Sequence, residues 1–384
     1  MNSKPAFDRI LIVVFCVALC LPVLSWVGGI SSQVSKHENR ISSSFPTWQW
    51  NKSAIKTFPA EFSDWFNDHM GFRKTLVTVF ARLNNDFLNS HKAVVKGKQD
   101  WFFLIRVPST DYSRPPVVGD YCGRIPFSVS QLESWVSALV ANWKRLQNAG
   151  KHYVLMIVPN KQTVYAEHFP SRINCRPGTT RLDQLVSALS EFSGFPFVDL
   201  RDRYAEVRSK PLWLHADTHW NGFGASEGYR KLLETINRKG DFQLKHPLDG
   251  AGFRLSPISV RDGDLSRMVG LDQSNISIEP QIVVKDSSTV PRSASFPSHM
   301  VNPARVPEAF VHTNQALPSV VVFHDSFFNK RVKKMVAENF SNSTFVWHRG
   351  KPDLTIENNV IDQLNPDVIV HEMVERNLLH PYFD

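Results

Sequence analysis

Residues 153–158, 319–323, 344–347 and 367–370 are apolar at nearly every position rather than at every second one. A strand with one wet face alternates; a strand covered on both faces does not. Between these runs the apolar spacing changes to that of helices. Leu132, Trp135, Val136, Leu139, Val140, Trp143 and Leu146 form one such stripe, which stops at Gly150. Leu182, Leu185, Val186, Leu189 and Phe192 form a second, ahead of a strand at 196–200, and Ala225, Tyr229, Leu232, Leu233 and Ile236 a third. Two further helices are expected near 329–339 and 356–364. Buried strands alternating with helices specify an α/β fold, a parallel sheet flanked by helices on both faces.

The rest of the chain departs from that rhythm. Residues 240–317 are rich in Pro, Ser and Asp with only short apolar runs such as 282–284, and read as an irregular insertion. Residues 97–104 read as the opening strand of the domain, followed by a Pro-rich loop through Pro126. Ahead of them, Phe62, Trp65, Phe66, Leu76, Val79, Phe80, Leu83 and Phe87 predict a helical lead-in over 59–89, broken near Gly71. Residues 10–30 are 21 uncharged, mostly apolar positions preceded by Lys4 and Arg9. That is long enough to cross a bilayer as a helix and exceeds the roughly 7–15 apolar residues of a cleaved secretory signal. The expected partition is a signal anchor at 1–30, a tether at 31–57, a lead-in at 58–96 and a catalytic domain at 97–384.

A 42% hydrophobic chain can bury a large core. Its charge of +8 comes from 44 basic and 36 acidic residues without a dominant block, which gives no basis for nucleic-acid binding. Cys16 and Cys20 lie in the apolar run, leaving Cys122 and Cys175 as either one disulfide in an oxidising compartment or two separate buried thiols. There is no Cys-x-x-Cys spacing for a structural zinc ribbon.

Chemistry concentrates in two places. Residues 211–224 carry Asp217 and His219 two positions apart, flanked by Trp213 and Trp220. Residues 320–323 run straight into His324, Asp325 and Ser326, placing Ser326 at the carboxyl end of a strand, where active sites of open parallel sheets collect. An Asp that orients a His, and a His that takes a proton from a Ser, form a hydrolase-type constellation, and the helix after Ser326 offers amides for an oxyanion. Each half also has a plain reading. Asp-Ser ahead of a helix is a common cap, and Asn221 suits a cap for the helix at 225–236. Because His215, Asp217 and His219 alternate, on an extended segment they would share one side as metal ligands. No Gly-x-Ser-x-Gly elbow is present, and His371-Glu372 lacks the second His of a zincin motif. Trp213 and Trp220 belong to the core or offer faces for sugar rings, the core being the simpler reading. Lys330, Arg331, Lys333 and Lys334 form either a solvated face or a surface for an acidic substrate. Arg376, past the last strand, either closes the site electrostatically or pairs with Glu375.

With both motifs in view, the chain resembles the alginate O-acetyltransferases of the AlgJ/AlgX type, SGNH-hydrolase-like proteins that acetylate bacterial exopolysaccharides. Phe66-Asn-Asp-His-Met-Gly-Phe-Arg73, Lys98-Gln-Asp-Trp-Phe-Phe-Leu104, Val158-Pro-Asn-Lys-Gln-Thr-Val-Tyr165, Gly263-Asp-Leu265 and Val370-His-Glu-Met-Val-Glu-Arg-Asn377 agree with it. The resemblance covers about 60–380. It implies Ser326 as acyl-accepting nucleophile, His219 as base and Asp217 as the group that orients His219, with Trp220, Tyr165 and Arg376 as substrate-binding candidates and no cofactor. It also implies an acetyl donor in the form of a membrane-bound O-acyltransferase, a polysaccharide acceptor, and an inner-membrane anchor with the domain in the periplasm. A polysaccharide acetylesterase uses the same acyl-enzyme, and a non-catalytic glycan-binding or export scaffold is the reading from another class. One departure is His324, where many relatives have Gly, which puts the turn geometry in question. A second is that little follows Asn377, so no carbohydrate-binding module is expected and the AlgJ type is the closer likeness.

Overall fold

The structure is a computed structural model that describes residues 44–48, 52–69, 93–107, 116–261, 263–269, 276–293, 306–348 and 354–380, with scattered helical positions between 9 and 20. The chain divides into two units, 1–91 with 264–274 and 92–263 with 275–384. Among the described residues no helix is long and apolar enough to cross a membrane, and most of 10–30 lies outside them.

In the first unit, helix α1 spans Lys52–His69, so its opening turns occupy positions expected to be tether. Aromatic side chains one turn apart stack along it, Phe58 on Phe62 at 6.0 Å and Phe62 on Phe66 at 6.3 Å, and Phe45 packs edge-on against Trp65 at 4.8 Å. The expected helical segment beyond His69 lies outside the described residues.

The second unit opens with a separate hairpin, β1 (Val94–Lys96) and β2 (Phe102–Leu104). Residues 97–104 are therefore not the first strand of the main sheet. That role falls to β3 (His152–Val158), followed by β4 (Phe197–Asp199). The antiparallel hairpin of β5 (Phe253–Arg261) and β6 (Ile276–Val284) comes next, then β7 (Thr289–Arg292), β8 (Glu308–His312), β9 (Val320–His324), β10 (Asn342–Trp347) and β11 (Val368–Val374). The main sheet has the order β4-β3-β11-β9-β10-β8-β7. Its first five strands are mutually parallel, while β8 and β7 add antiparallel at one edge. The segment expected to be an irregular insertion thus supplies a hairpin and the last two strands at one end of the sheet.

Residues alternate between two cores, as the pleat requires. Val154, Met156 and Val158 of β3 join one core, built with helices over Arg201–Val207, Gly222–Gly240 and Lys330–Ala337. Tyr153, Leu155 and Ile157 join the other, built with Val129–Asn148, Arg181–Ser190 and Leu354–Leu364. Local chemistry sets the helix ends. Ser128 with Gln131, and Thr180 with Asp183, form capping boxes, and Asn221 caps Gly222–Gly240 through the amides of Phe223 and Gly224.

Strand order locates the site. From β3 the chain moves outward to β4, and from β9 it moves the opposite way to β10, with β11 between the two pairs. Such a reversal leaves a crevice above the carboxyl ends of the strands. The loops after β3, β9 and β11 meet there.

Candidate active site

Residues 211–221 form a short looped hairpin ahead of the Gly222–Gly240 helix. Trp213 and Trp220 pair as an antiparallel bridge, and the Trp213 indole donates to the carbonyl of Thr218 at 3.1 Å. Asn221 donates from its amide nitrogen to the carbonyl of Leu212 and from Nδ2 to that of Pro211, both at 2.8 Å. Close backbone approach demands glycine on either side of the loop. A Cβ at Gly224 would lie 2.2 Å from the Leu212 oxygen, and one at Gly263 1.9 Å from that of Ala216.

At the tip, Asp217 Oδ1 is 2.6 Å from His219 Nδ1 and also accepts the His219 amide at 2.9 Å. On the far side of the ring, His219 Nε2 is 2.8 Å from Ser326 Oγ. With Nδ1–H donated to the carboxylate, Nε2 is left as the acceptor for the Ser326 hydroxyl. The ring also packs against Phe327 at 5.0 Å.

Lys161 fixes the height of this loop. Its ammonium, on a side chain only 4% exposed, donates to the carbonyls of Phe102 at 3.0 Å, His215 at 2.8 Å and Asp217 at 2.7 Å. Lys161 opens the short Lys161–Val164 helix, which Glu375 braces by accepting from the Asn160 amide at 2.7 Å and the Thr163 hydroxyl at 2.8 Å. Burial raises the Glu375 carboxyl to about 7, with Asp120 adding to the rise.

Asp325 plays the corresponding part for Ser326. Its carboxylate accepts from the amides of Phe327 (2.9 Å) and Val374 (2.8 Å) and from Asn377 Nδ2 (2.9 Å), tying the serine loop to the end of β11. The Asp325 amide donates to Glu372 Oε2 at 3.1 Å. Burial, reinforced by the neighbouring Asp325 carboxylate, pushes Glu372 well above the usual carboxyl range, which favours its neutral form. His324 Nδ1 donates to the Asp325 carbonyl at 2.7 Å. Position 324 is the last residue of β9 and is not among the described residues with positive φ, so the backbone there does not require glycine.

Several expectations are corrected. Trp220 is 3% exposed and its indole donates to the Phe327 carbonyl at 3.1 Å, so its faces are spent on the core. Tyr165 is buried too, its hydroxyl accepting the Leu212 amide at 2.8 Å, so it braces the 211–221 loop instead of meeting substrate. Arg376 lies over the Phe327 ring at 5.5 Å, beside the serine loop. The amides of Arg331 and Val332 are taken by the Asn329 cap and that of Phe327 by Asp325, so none of these three is available for an oxyanion. The basic run is not a single anion-binding face, because Lys333 pairs with Glu308 and Arg331 bonds Gln281. His215 packs on Trp101 at 4.2 Å with Nδ1 3.4 Å from Glu279, while both ring nitrogens of His219 are engaged by Asp217 and Ser326. The alternating trio is therefore not arranged as a common ligand set. Cys122 and Cys175 are joined in a disulfide.

A cleft of about 370 Å³ opens beside Ser326, lined by His324, Phe328, Asn329, Lys333, Phe345 and Trp347 among others.

A mostly parallel sheet between helical layers, with a Ser at one strand end facing a His and an Asp from another loop, defines an SGNH-hydrolase-like α/β protein. A sequence model described as the SGNH hydrolase-like domain of the acetyltransferase AlgX matches residues 94–308, more than half of the chain. The chain belongs to that family of SGNH-like O-acetyltransferases. The matched segment contains Asp217 and His219, and Ser326 follows it. Among solved structures, the O-acetyltransferase domain of Pseudomonas putida AlgJ is similar at 18% identity, over 75% of this chain and 92% of that one, with a TM-score of 0.48. PatB1 of Bacillus cereus is similar at 13% identity, over 76% and 98%, with a TM-score of 0.51. A second PatB1 structure, which carries a sulfonyl adduct, is similar at 12% identity, over 75% and 96%, with a TM-score of 0.50. At these identities the likeness concerns the fold. No curated protein matches the sequence.

Proposed function

We propose that this chain moves acetyl groups through an ester on Ser326 onto hydroxyls of an exopolysaccharide or cell-wall glycan. It would be held at the inner membrane by residues 10–30, with its domain in the periplasm and a membrane-bound O-acyltransferase as donor. The observation that carries the reading is the unbroken relay from Asp217 Oδ1 to His219 Nδ1 at 2.6 Å and from His219 Nε2 to Ser326 Oγ at 2.8 Å. In the first half-reaction, Ser326 Oγ attacks the acetyl carbonyl of the donor while its proton passes to His219 Nε2, and that proton then leaves with the donor's departing oxygen or sulfur. In the second half-reaction, a sugar hydroxyl gives its proton to the same nitrogen and attacks the ester, and Ser326 recovers the proton as its oxygen departs. Asp217 keeps Nδ1 protonated throughout and stabilises the imidazolium between the steps. The disulfide between Cys122 and Cys175 suits an oxidising compartment outside the cytoplasm.

The test uses the full chain in detergent. A chromogenic acetyl ester should leave one acetyl group on the protein, mapped to Ser326 by mass spectrometry and absent in Ser326→Ala. A sulfonyl fluoride, of the adduct chemistry recorded for PatB1, should block the same residue. Acetate release with no transfer to any glycan would make the protein an esterase. Absence of any ester on Ser326 would remove the acyl-enzyme altogether.

A further inference from the structure

The cleft beside Ser326 is much larger than an acetyl ester needs, at about 370 Å³, and its walls are of two kinds. Of its lining residues Phe328 and Phe345 are buried, whereas Trp347 is half-buried. The Trp347 ring is held edge to face by His324, with centroids 5.6 Å apart and planes at 89°. It stands at the end of β10, the strand paired in parallel with β9, with Trp347 opposite His324 in register. The platform is therefore fixed to the strand next to the one whose end presents the nucleophile. Toward another part of the lining, Lys333 Nζ lies 2.6 Å from Glu308 Oε1, with Asn329 nearby on the same lining. Lys333 is largely buried and Glu308 is partly open to solvent.

An indole face and a compensated ion pair are not what a hydrocarbon chain requires, because an acyl tail gains nothing from the charged wall and desolvates it at a cost. A carboxylate would have to compete with Glu308 for the ammonium. A sugar ring matches both walls. Its C–H face packs on an indole, and its hydroxyls can accept from the ammonium and donate to the carboxylate. The volume also lies within the roughly 300–1,000 Å³ typical of small-molecule sites.

We propose that this cleft is the acceptor subsite, in which an uncharged pyranose ring stacks on Trp347 while Lys333 and Glu308 read its hydroxyls, so that the hydroxyl to be acetylated faces Ser326. The proposal rests on the acyl-enzyme reading above and adds to it the acceptor class and the residues that select it.

The measurement is the partition of the acetyl group between a glycan acceptor and water, using the full chain in detergent, a chromogenic acetyl ester as donor, and neutral, amino-sugar and uronate oligosaccharides as acceptors. The ratio of transfer to hydrolysis does not depend on how much folded enzyme is present. Trp347→Ala should lower it about tenfold for a neutral acceptor, the scale of one lost ring contact, and Trp347→Phe should restore most of the loss. The same Trp347 changes placed in Ser326→Ala, titrated calorimetrically with the same oligosaccharides, should weaken glycan binding by a similar factor. Loss of glycan binding together with an absence of turnover in the parent enzyme would sink the acyl-enzyme reading and leave the subsite standing. An unchanged partition ratio and unchanged binding in Trp347→Ala would overturn the subsite. So would a gain of activity on longer acyl esters, which would make the cleft an acyl pocket, or a preference for the uronate oligosaccharide.

Discussion

The ammonium of Lys161 lies 2.7 Å from the carbonyl oxygen of Asp217 and 2.8 Å from that of His215, joining the loop after β3 to the loop that carries the imidazole. With the Phe102 carbonyl as third acceptor, its three N–H groups are matched by three backbone oxygens. The geometry makes it a positioning residue for Asp217 and His219, not a group that meets substrate.

Replacing Lys161 with Met keeps most of the stem and removes every donor. The His215 carbonyl keeps the Phe102 amide as a donor, whereas the Phe102 carbonyl loses the ammonium. A buried carbonyl left unpaired costs roughly 1–3 kcal/mol, so a net loss of about 2 kcal/mol in unfolding free energy is expected. Displacing the His219 ring should lower turnover on an acetyl ester on the order of 100-fold. Chemical denaturation and ester hydrolysis on the same preparation measure both. Full activity in a destabilised Lys161→Met would confine the residue to a structural role.

Asp325 and Glu372 invite a paired test. Asp325→Ala strands the amides of Phe327 and Val374 and the side chain of Asn377, which all donate to its carboxylate. It should cost about 3 kcal/mol or more and release the Ser326 loop. Glu372→Gln exchanges a buried neutral carboxyl for an amide of the same shape, and should retain ester hydrolysis within about threefold. Comparable damage from both changes would show that the Glu372 proton itself is needed.

Reduction of the Cys122–Cys175 bond is a third measurement. The bond ties positions 53 apart, joining the helical turn at Val117–Tyr121 to the loop before the Arg181–Ser190 helix. Closing a loop of that length is worth roughly 2–4 kcal/mol, mainly through the unfolded chain. The paired change Cys122→Ala with Cys175→Ala should lower the unfolding free energy by that amount, measured by chemical denaturation, and leave ester hydrolysis well below the unfolding midpoint unchanged.

The sequence made the parallel strands legible because a strand buried on both faces cannot hide its composition, as in β3 and β9. Strands β7 and β8 escaped notice because they sit at one end of the sheet, are short and carry polar or exposed positions such as Thr289 and Arg292. Asp217, His219 and Ser326 stood out by residue type and by position after an apolar run or ahead of a helix. Their supports did not. A lysine reads as a surface residue until three carbonyls are known to surround it, and nothing local to Asp325, Glu372 or Glu375 says that strand ends far apart in sequence will bury them together. The error over Trp220 and Tyr165 has the same origin, since an aromatic beside a reactive residue has one sequence signature whether its face is packed or open.

The pH dependence of stability should carry the mark of Glu375. Its carboxyl is wholly buried between Asn160 and Thr163, and burial lifts it from its ordinary 4.5 to about 7. The folded state therefore holds this proton where the unfolded chain has released it. The stabilising contribution is complete below pH 4.5, declines as the pH rises from there, and is gone above about 7. A displacement of this size corresponds to about 3 kcal/mol across the window. Glu375→Gln keeps an acceptor for the Asn160 amide and the Thr163 hydroxyl but cannot ionise. Urea unfolding of the parent and of Glu375→Gln, measured at intervals across that range, should give curves whose difference grows in favour of the variant as pH rises and then levels off. Parallel curves would mean that Glu375 titrates like an exposed carboxyl, and the brace on the Lys161 loop would then be charged at neutral pH.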